Sequence, residues 1–277
     1  MDCMDEVFGF VPGDAPLLVS VPHAGTRIPP AIAATMTPEA LRTEDTDWFV
    51  DALYDVAPRL GIGLIVARQS RYVVDINRDP TNASLYPGRS VTELVPLTTF
   101  AFEPIYAAGR EPGPAEVEAR VNHYWRPYHD ALRAEVGRLR ARHGVAVLWD
   151  GHSIRSQVPR FFDGTLADMN FGSVHGQSAD PSLVAAVHRA AQGHGGYSVV
   201  WDGRFVGGHI TRSLGRPAEG VHAIQLEMTW RTYMAEQAPY RLDPERADRA
   251  RCFIAGCLAA ARDWALAASS SATARAG

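Results

Sequence analysis

The chain has 277 residues, 46% of them hydrophobic, and a formal net charge of −4 at pH 7. This length allows one domain with a large core, and the acidic balance argues against a nucleic-acid binder, which needs a basic footprint. No apolar run approaches the roughly 20 residues that span a membrane, and the N-terminus lacks the basic and apolar regions of a signal peptide. We therefore expect a globular cytoplasmic protein.

Lysine is absent, so all 27 basic side chains are arginine. This excludes Schiff-base chemistry and the lysine of a phosphate-binding P-loop. A positively charged side chain that binds an anion here must be an arginine or a histidine. Cys3, Cys252 and Cys257 form no metal or redox motif, which fits a reducing compartment.

Buried apolar runs alternate with helical patterns along the chain. Strands are predicted near residues 16–22, 62–67, 71–76, 144–150, 197–201 and 222–228. Helices are predicted over 47–59, 114–142 (with a kink or break at Pro127), 181–192 and 243–268. This order predicts a single three-layer α/β domain with a mostly parallel central sheet and helices on both faces.

The ordered core of that domain should cover residues 7–265, and residues 268–277 should fray. Two long segments, 79–113 and 154–180, are rich in Gly, Pro and Asp and only weakly periodic. Loops this long usually carry function or cover a site.

Two histidines lie at the ends of predicted strands, His23 in PLLVSVPHAG and His152 in GVAVLWDGHS. Ligands of open α/β sheets bind beyond the carboxyl ends of the strands, and imidazole is the commonest ligand of catalytic zinc. A single histidine in a turn bonds to a backbone carbonyl about as often as it has a functional role. The matched pair favours a metal site.

A third metal ligand is expected from the acidic run Glu44-Asp45-Thr46-Asp47, the nearest acidic group after His23. The alternative role is capping of the helix predicted from residue 47. Capping fits Asp45 or Thr46 better than Asp47.

Three further polar groups are candidates for chemistry. Asn77 and Arg78 suit bidentate binding of a carboxylate, unless Arg78 only pairs with Asp75. Glu227 lies in a predicted buried strand, where a carboxylate needs a partner, a raised pKa or a role such as general base. Residues 203–217 carry His209 and Arg212 among glycines, either as a loop that closes over an anion or as a surface turn.

The motifs SVPHAG, SRYVVDINR, YWRPYH, GHSIRS and QLE, with others between them, resemble the N-formylglutamate deformylase (amidohydrolase) family of bacterial histidine degradation over about residues 7–265. That family is similar in fold and site order to zinc exopeptidases of the carboxypeptidase type. The chain lacks the carboxylate that those exopeptidases have three residues after the first histidine. The site order of the resemblance implies Asp47 as the third ligand, and this departure leaves Asp45 and Glu44 open as alternatives.

The resemblance implies hydrolysis of N-formyl-L-glutamate to formate and L-glutamate with one divalent metal ion, expected to be zinc. It implies His23, Asp47 and His152 as ligands, Glu227 as the base and Arg71 as a stabiliser of the oxyanion. Asn77 and Arg78 would bind one substrate carboxylate, and His209 or Arg212 the other.

Other functions stay open. They are a deacylase or carboxypeptidase-like enzyme for another N-acyl amino acid, a serine hydrolase using Ser153 or Ser156, and a non-catalytic binder of acidic metabolites. The sequence leaves the oligomeric state open and predicts no nucleic-acid or membrane partner.

Overall fold

The computed structural model describes residues 7–83, 88 and 90–276, with side chains described as far as residue 270. A seven-stranded sheet lies between helices on both faces. The strands are β1 (Phe8–Val11), β2 (Leu17–Val21), β3 (Gly63–Ala67), β4 (Ala146–Ile154), β5 (Met169–Gly172), β6 (Val199–Trp201) and β7 (Val221–Thr229).

The helices include one long C-terminal element and several of only one or two turns. They are α1 (Pro30–Ala33), α2 (Val50–Leu53), α3 (Val56–Arg59), α4 (Pro114–Arg120), α5 (Arg126–His143), α6 (Pro181–His194), α7 (His209–Leu214) and α8 (Pro244–Ala276). A π-helical turn, Val121–Trp125, joins α4 to α5.

The strand order is β1-β3-β2-β4-β7-β5-β6. The four central strands β3, β2, β4 and β7 are parallel. The outer strands β1 and β5 pair antiparallel with β3 and β7, and β6 is parallel to β5. The sheet is thus mixed but mostly parallel, which confirms the predicted α/β class.

The central strands bury both faces, because alternate side chains enter different hydrophobic cores. In β4, Val147 and Trp149 pack on the side of α6 and α8, whereas Ala146 and Leu148 pack on the side of α5. The other parallel strands alternate in the same way. The helices on both faces form the outer layers of the predicted three-layer arrangement.

The prediction of a strand over residues 71–76 is wrong. Residues 71–77 are fully buried but follow an irregular path of turns. Their backbone groups bond to other segments and to side chains: Asp75 N donates to Leu94 O, and Val73 O accepts from Arg120. An apolar run indicates that a segment is buried. A buried segment need not be a strand when other segments and side chains bond to its backbone N–H and C=O groups.

Two strands, β1 and β5, were not predicted, because each has only four residues and contains a glycine.

The helices were easier to predict from the sequence than these short strands. The predicted interruption near Pro127 is confirmed by the π-helical turn that precedes it, which accommodates the missing proline N–H. The region 47–59 forms two short helices in place of one.

Helix α8 continues to Ala276, into the residues expected to fray. Alanine, the strongest helix former, is frequent there. Within α8, residues 244–270 are long and apolar enough to cross a membrane by length and composition, a test that core helices also pass. One side of α8 packs against the sheet through Phe253, Ile254, Cys257 and Leu258.

Helix α5 and the π-helical turn hold the irregular segment in place. The His129 ring stacks on Trp125 with 3.7 Å between ring centroids, and its Nε2 lies 2.7 Å from Ile76 O. Trp125 Nε1 donates to Arg78 O over 3.0 Å. Burial lowers the pKa of His129 to about 3.

This buried histidine predicts a pH-dependent stability. Below pH about 6.5, the unfolded chain binds a proton at residue 129 that the folded protein does not. The free energy of unfolding should therefore fall as the pH drops from 6.5 towards 3, by up to about 1.4 kcal/mol per pH unit from this group. The dependence of the free energy of unfolding on pH can be measured by urea unfolding between pH 6.5 and 4.5. In His129→Gln its slope should be smaller by up to about 1.4 kcal/mol per pH unit, the contribution of one proton.

His123→Gln, at an exposed position, serves as the control for loss of a histidine. An unchanged slope in His129→Gln would show that His129 does not contribute.

Candidate active site and metal centre

The register of two central strands places the first pair of polar side chains. His152 of β4 lies directly beside Glu227 of β7, and Asp150 lies beside Gln225. Neighbouring residues of parallel strands point to the same face, so these four side chains lie together at the carboxyl end of the sheet. Strand β4 extends to Ile154, so His152 lies within the strand, whereas the sequence had predicted that His152 follows a strand ending at residue 150.

His23 lies two residues after β2, in a turn that passes close to the end of β3. A Cβ atom on Gly25 would be only 2.3 Å from the backbone carbon of Arg68, so only glycine fits there. The carbonyl of His23 accepts a hydrogen bond from Asp47 N over 3.0 Å. This turn brings His23 and Asp47 to the same edge as His152.

His23, Asp47 and His152 form a buried group that can hold a metal ion, with one donor atom of each within 4.8 Å of the others. The Asp47 Oδ2 atom lies 3.3 Å from His152 Nδ1 and 3.9 Å from His23 Nδ1. Asp47 is thus the member of the acidic run that joins the two histidines.

Each histidine is oriented by a second buried carboxylate. Asp75 Oδ1 lies 2.7 Å from His23 Nε2, and Asp150 Oδ2 lies 3.1 Å from His152 Nε2. Burial alone would raise the pKa of Asp75, but His23 and Arg78 hold it well below its usual value. The outer nitrogens are therefore occupied, and the Nδ1 atoms face Asp47.

The donor set fits a metal. Two imidazoles and a carboxylate match a catalytic zinc site that keeps a position open, and carboxylates behind ligand histidines are common. His23 Nδ1 is buried without a hydrogen-bond partner among the described residues. Burial and Arg71 lower the pKa of His23, whereas Asp150 and Asp47 overcome burial and raise that of His152.

The other acidic residues of the run are engaged elsewhere. Asp45 Oδ2 accepts hydrogen bonds from Tyr72 OH over 2.7 Å and from Phe100 N over 2.8 Å. Glu44 pairs with Arg42 and Arg155. The structure therefore favours Asp47 over both alternatives.

Glu227 is buried beside this group. Burial raises its pKa to about 8, an effect that His152 opposes and Asp47 reinforces. Gln225 Nε2 lies 3.4 Å from Glu227 Oε2. A carboxylate of raised pKa in a cleft is a candidate for proton transfer.

Arg71 contacts the candidate ligand directly. Its NH2 donates to Asp47 Oδ1 over 2.7 Å, and its guanidinium carbon lies 5.1 Å from the centre of the Phe100 ring. Asp47, Asp75 and Asp45 raise the pKa of Arg71 against the effect of burial. Arg71 therefore neutralises and orients the carboxylate of Asp47.

Asn77 and Arg78 are adjacent but have different surroundings. Asn77 Oδ1 accepts from Ile210 N over 2.8 Å, and its Nδ2 lies 3.0 Å from His152 Nε2. A Cβ atom on Gly208 would be 2.3 Å from Asn77 Nδ2, so glycine is needed opposite it. Arg78 donates to Thr92 O and Thr92 Oγ1 over 3.2 and 3.1 Å.

Several of these residues line one cavity at the carboxyl edge of the sheet. The long loops of residues 79–113 and 154–180 contribute Val91, Phe100 and Phe161 to its wall, as expected of segments that cover a site. Its candidate chemical groups are His23, Arg71, Asn77, Arg78, His152 and Glu227. Arg204 also lines it, and sequence reasoning did not single out this arginine.

His209 and Arg212 lie elsewhere. The His209 ring packs against Trp125 and His129, and its Nδ1 is 3.7 Å from Asp79 Oδ2. Arg212 donates from Nε to Gly207 O and lines a separate surface depression with Arg216. Among the described residues, neither is part of the wall around His23 and Glu227.

Known proteins of similar sequence share one description. The family model for N-formylglutamate amidohydrolase matches residues 15–234. An N-formylglutamate deformylase of Pseudomonas aeruginosa is 45% identical over 261 residues, which cover 94% of this chain and 98% of that protein. An N-formylglutamate deformylase of Pseudomonas putida is 42% identical, with 94% and 97% of the two chains covered.

Solved structures agree with this similarity. The crystal structure of an N-formylglutamate amidohydrolase from Ralstonia eutropha has a TM-score of 0.76 and 29% identity, covering 92% of this chain and 97% of that one. A gene product of Agrobacterium tumefaciens has a TM-score of 0.68 at 18% identity over 97% and 98% of the chains, which supports the fold alone. Because the family match spans most of the sequence, the chain belongs to the N-formylglutamate amidohydrolase family.

Proposed function

We propose that the protein hydrolyses N-formyl-L-glutamate to formate and L-glutamate with a divalent metal ion, zinc, held by His23, Asp47 and His152. The observation that carries this proposal is the buried three-residue group with Glu227 in register beside it. Relatives named N-formylglutamate deformylase at 42–45% identity support the substrate.

The chemistry that a divalent ion supplies at this position is polarisation of the formyl carbonyl and acidification of the attacking water. Asp75 and Asp150 keep the outer nitrogens of His23 and His152 occupied, so that both rings present Nδ1 to the centre. Arg71 donates to Oδ1 of Asp47, the carboxylate oxygen that does not face the two histidines.

Glu227 moves the proton in this proposal. Its carboxylate takes a proton from the attacking water and delivers it to the amide nitrogen as the C–N bond breaks. The products are formate and L-glutamate, whose amino group is released in this step. The raised pKa of Glu227 supports a carboxylate able to hold that proton.

Two cationic roles complete the proposal. Arg71 stabilises the negative charge that develops on the formyl oxygen, supported by its position in the cavity wall and by an Nε without a hydrogen-bond partner among the described residues. Arg78, beside Asn77, binds a carboxylate of the substrate.

A related deacylase that acts on another N-acyl amino acid is the second candidate, supported by the same group of metal donors. A panel of N-formyl, N-acetyl and N-succinyl amino acids separates the two. Both serines considered for a serine hydrolase are engaged: Tyr233 OH donates to Ser153 Oγ, and Ser156 Oγ donates to Glu236. We place the reaction in cytoplasmic histidine degradation, as the family resemblance implies.

Removal of a metal ligand should abolish activity and metal binding together. In Asp47→Asn and His152→Ala, the metal content measured by mass spectrometry should fall from near-stoichiometric, and formate release should drop by more than about 100-fold, the upper range for loss of an outer partner. Chelation should inactivate the wild type, and added zinc should restore it.

Asp45→Asn and Glu44→Gln are the matched controls, because their carboxylates bond elsewhere. Both should retain metal. Loss of metal in Asp45→Asn with retention in Asp47→Asn would reverse the ligand assignment.

Substitution of Glu227 by Gln should separate chemistry from binding. We expect kcat for N-formylglutamate to fall by about 10²- to 10⁴-fold, with KM and metal content near those of the wild type. The buried carboxylate Glu135, which pairs with Arg138 on α5, provides the control, and Glu135→Gln should keep the wild-type kcat. A Glu227→Gln enzyme with more than a tenth of the activity would exclude Glu227 as the base.

A further inference from the structure

Three guanidinium groups line the cavity among the described residues: those of Arg71, Arg78 and Arg204. The charge of Arg71 is matched by Asp47 at 2.7 Å and Asp75 at 3.9 Å. Asp75 also lies 3.9 Å from Arg78 and bonds to His23, so one carboxylate serves three partners. The wall that carries Arg78 and Arg204 therefore suits an anionic ligand.

Arg78 lies next to the reacting centre, because it lines the same cavity as His152 and its Nε is 3.9 Å from Asp75, which bonds to His23 over 2.7 Å. In an N-formyl amino acid, a single carbon separates the α-carboxylate from the scissile nitrogen. A group that binds the α-carboxylate must therefore lie close to His152. Arg78 meets this requirement. Its guanidinium is positioned by hydrogen bonds that Nε and NH2 donate to Thr92 O and Thr92 Oγ1.

Arg204 belongs to a different part of the wall. It lies between β6 and α7, its Nε donates to Phe161 O over 2.6 Å, and its guanidinium carbon is 5.3 Å from the centre of the Phe205 ring. Phe161 and Phe205 both line the cavity. A guanidinium beside the Phe205 ring, in a wall that also carries Phe161, suits an anion at the end of a short aliphatic chain.

We propose that Arg204 is the specificity-determining residue that binds the side-chain carboxylate of the substrate, while Arg78 binds the α-carboxylate. This inference rests on the proposed function and deepens it. It gives Arg204 the role that the sequence had assigned to His209 or Arg212. The enzyme then selects acidic over neutral side chains of the same length.

The test compares N-formyl-L-glutamate with N-formyl-L-glutamine, which have nearly the same shape and differ in the charge of the side chain. In Arg204→Gln, kcat/KM for N-formylglutamate should fall by about 10- to 100-fold, the usual effect of losing a charge-assisted hydrogen bond. The value for N-formylglutamine should change little, so the preference for glutamate disappears. Arg78→Gln should lower both values alike.

Arg216→Gln, an exposed arginine away from the cavity, controls for the loss of one positive charge and should keep the wild-type preference. Arg204→Lys should keep part of the preference, because lysine retains the charge without the planar fork. Thermal unfolding of each variant checks that it is folded. An equal loss for both substrates in Arg204→Gln, or loss of the preference in Arg212→Gln or His209→Asn instead, would overturn the proposal.

Failure of the proposed function is distinguishable. If the wild type releases formate from neither substrate, the reaction is misassigned, and calorimetric titration with L-glutamate and L-glutamine decides the role of Arg204. Selective loss of glutamate binding in Arg204→Gln supports it. No glutamate binding to the wild type, or equal binding to the variant, overturns it.

Discussion

The carboxylate of Asp47 is the interaction on which the site depends. It accepts hydrogen bonds from Arg71 and from Ser153 N, and it lies 3.3 Å from His152, while its own backbone N–H donates to His23 O. The turn after β2, strand β4 and the irregular segment 71–78 thus meet at one buried side chain. A buried carboxylate is costly without such partners, so these three parts must assemble together.

The surrounding charges form a chain in which each group compensates the next. Arg71 lies between Asp47 and Asp75, and Asp75 lies between His23 and the two arginines. In a buried cluster, removing one member leaves its partner uncompensated, at a cost of several kcal/mol. The inner part of the site is therefore held together by these ion pairs, whereas aromatic residues from long loops form its outer wall.

Sequence reasoning was most successful where chemistry and burial coincide. That His23, His152 and Glu227 lie together around one cavity could be predicted, because each is a polar residue in or next to a strand buried on both faces. The third ligand could not be settled, because three acidic residues lie within four positions and only the fold shows that Tyr72 and Phe100 occupy Asp45. Arg204 was not singled out, although it lies in the same segment as Arg212. The two arginines have the same chemistry, and only the fold shows that Arg204 lines the cavity and Arg212 does not.

The π-helical turn between α4 and α5 has a consequence for the geometry of the whole segment 76–78. An extra residue in a helix rotates everything after it by about 100° relative to the preceding turns. Here it sets the phase at which Trp125 and His129, one turn apart, both face the chain and bond to Arg78 O and Ile76 O. Without the extra residue, a regular helix would keep its apolar residues but turn both rings away from residues 76–78, so the π-helical turn Val121–Trp125 sets how α5 packs against this segment.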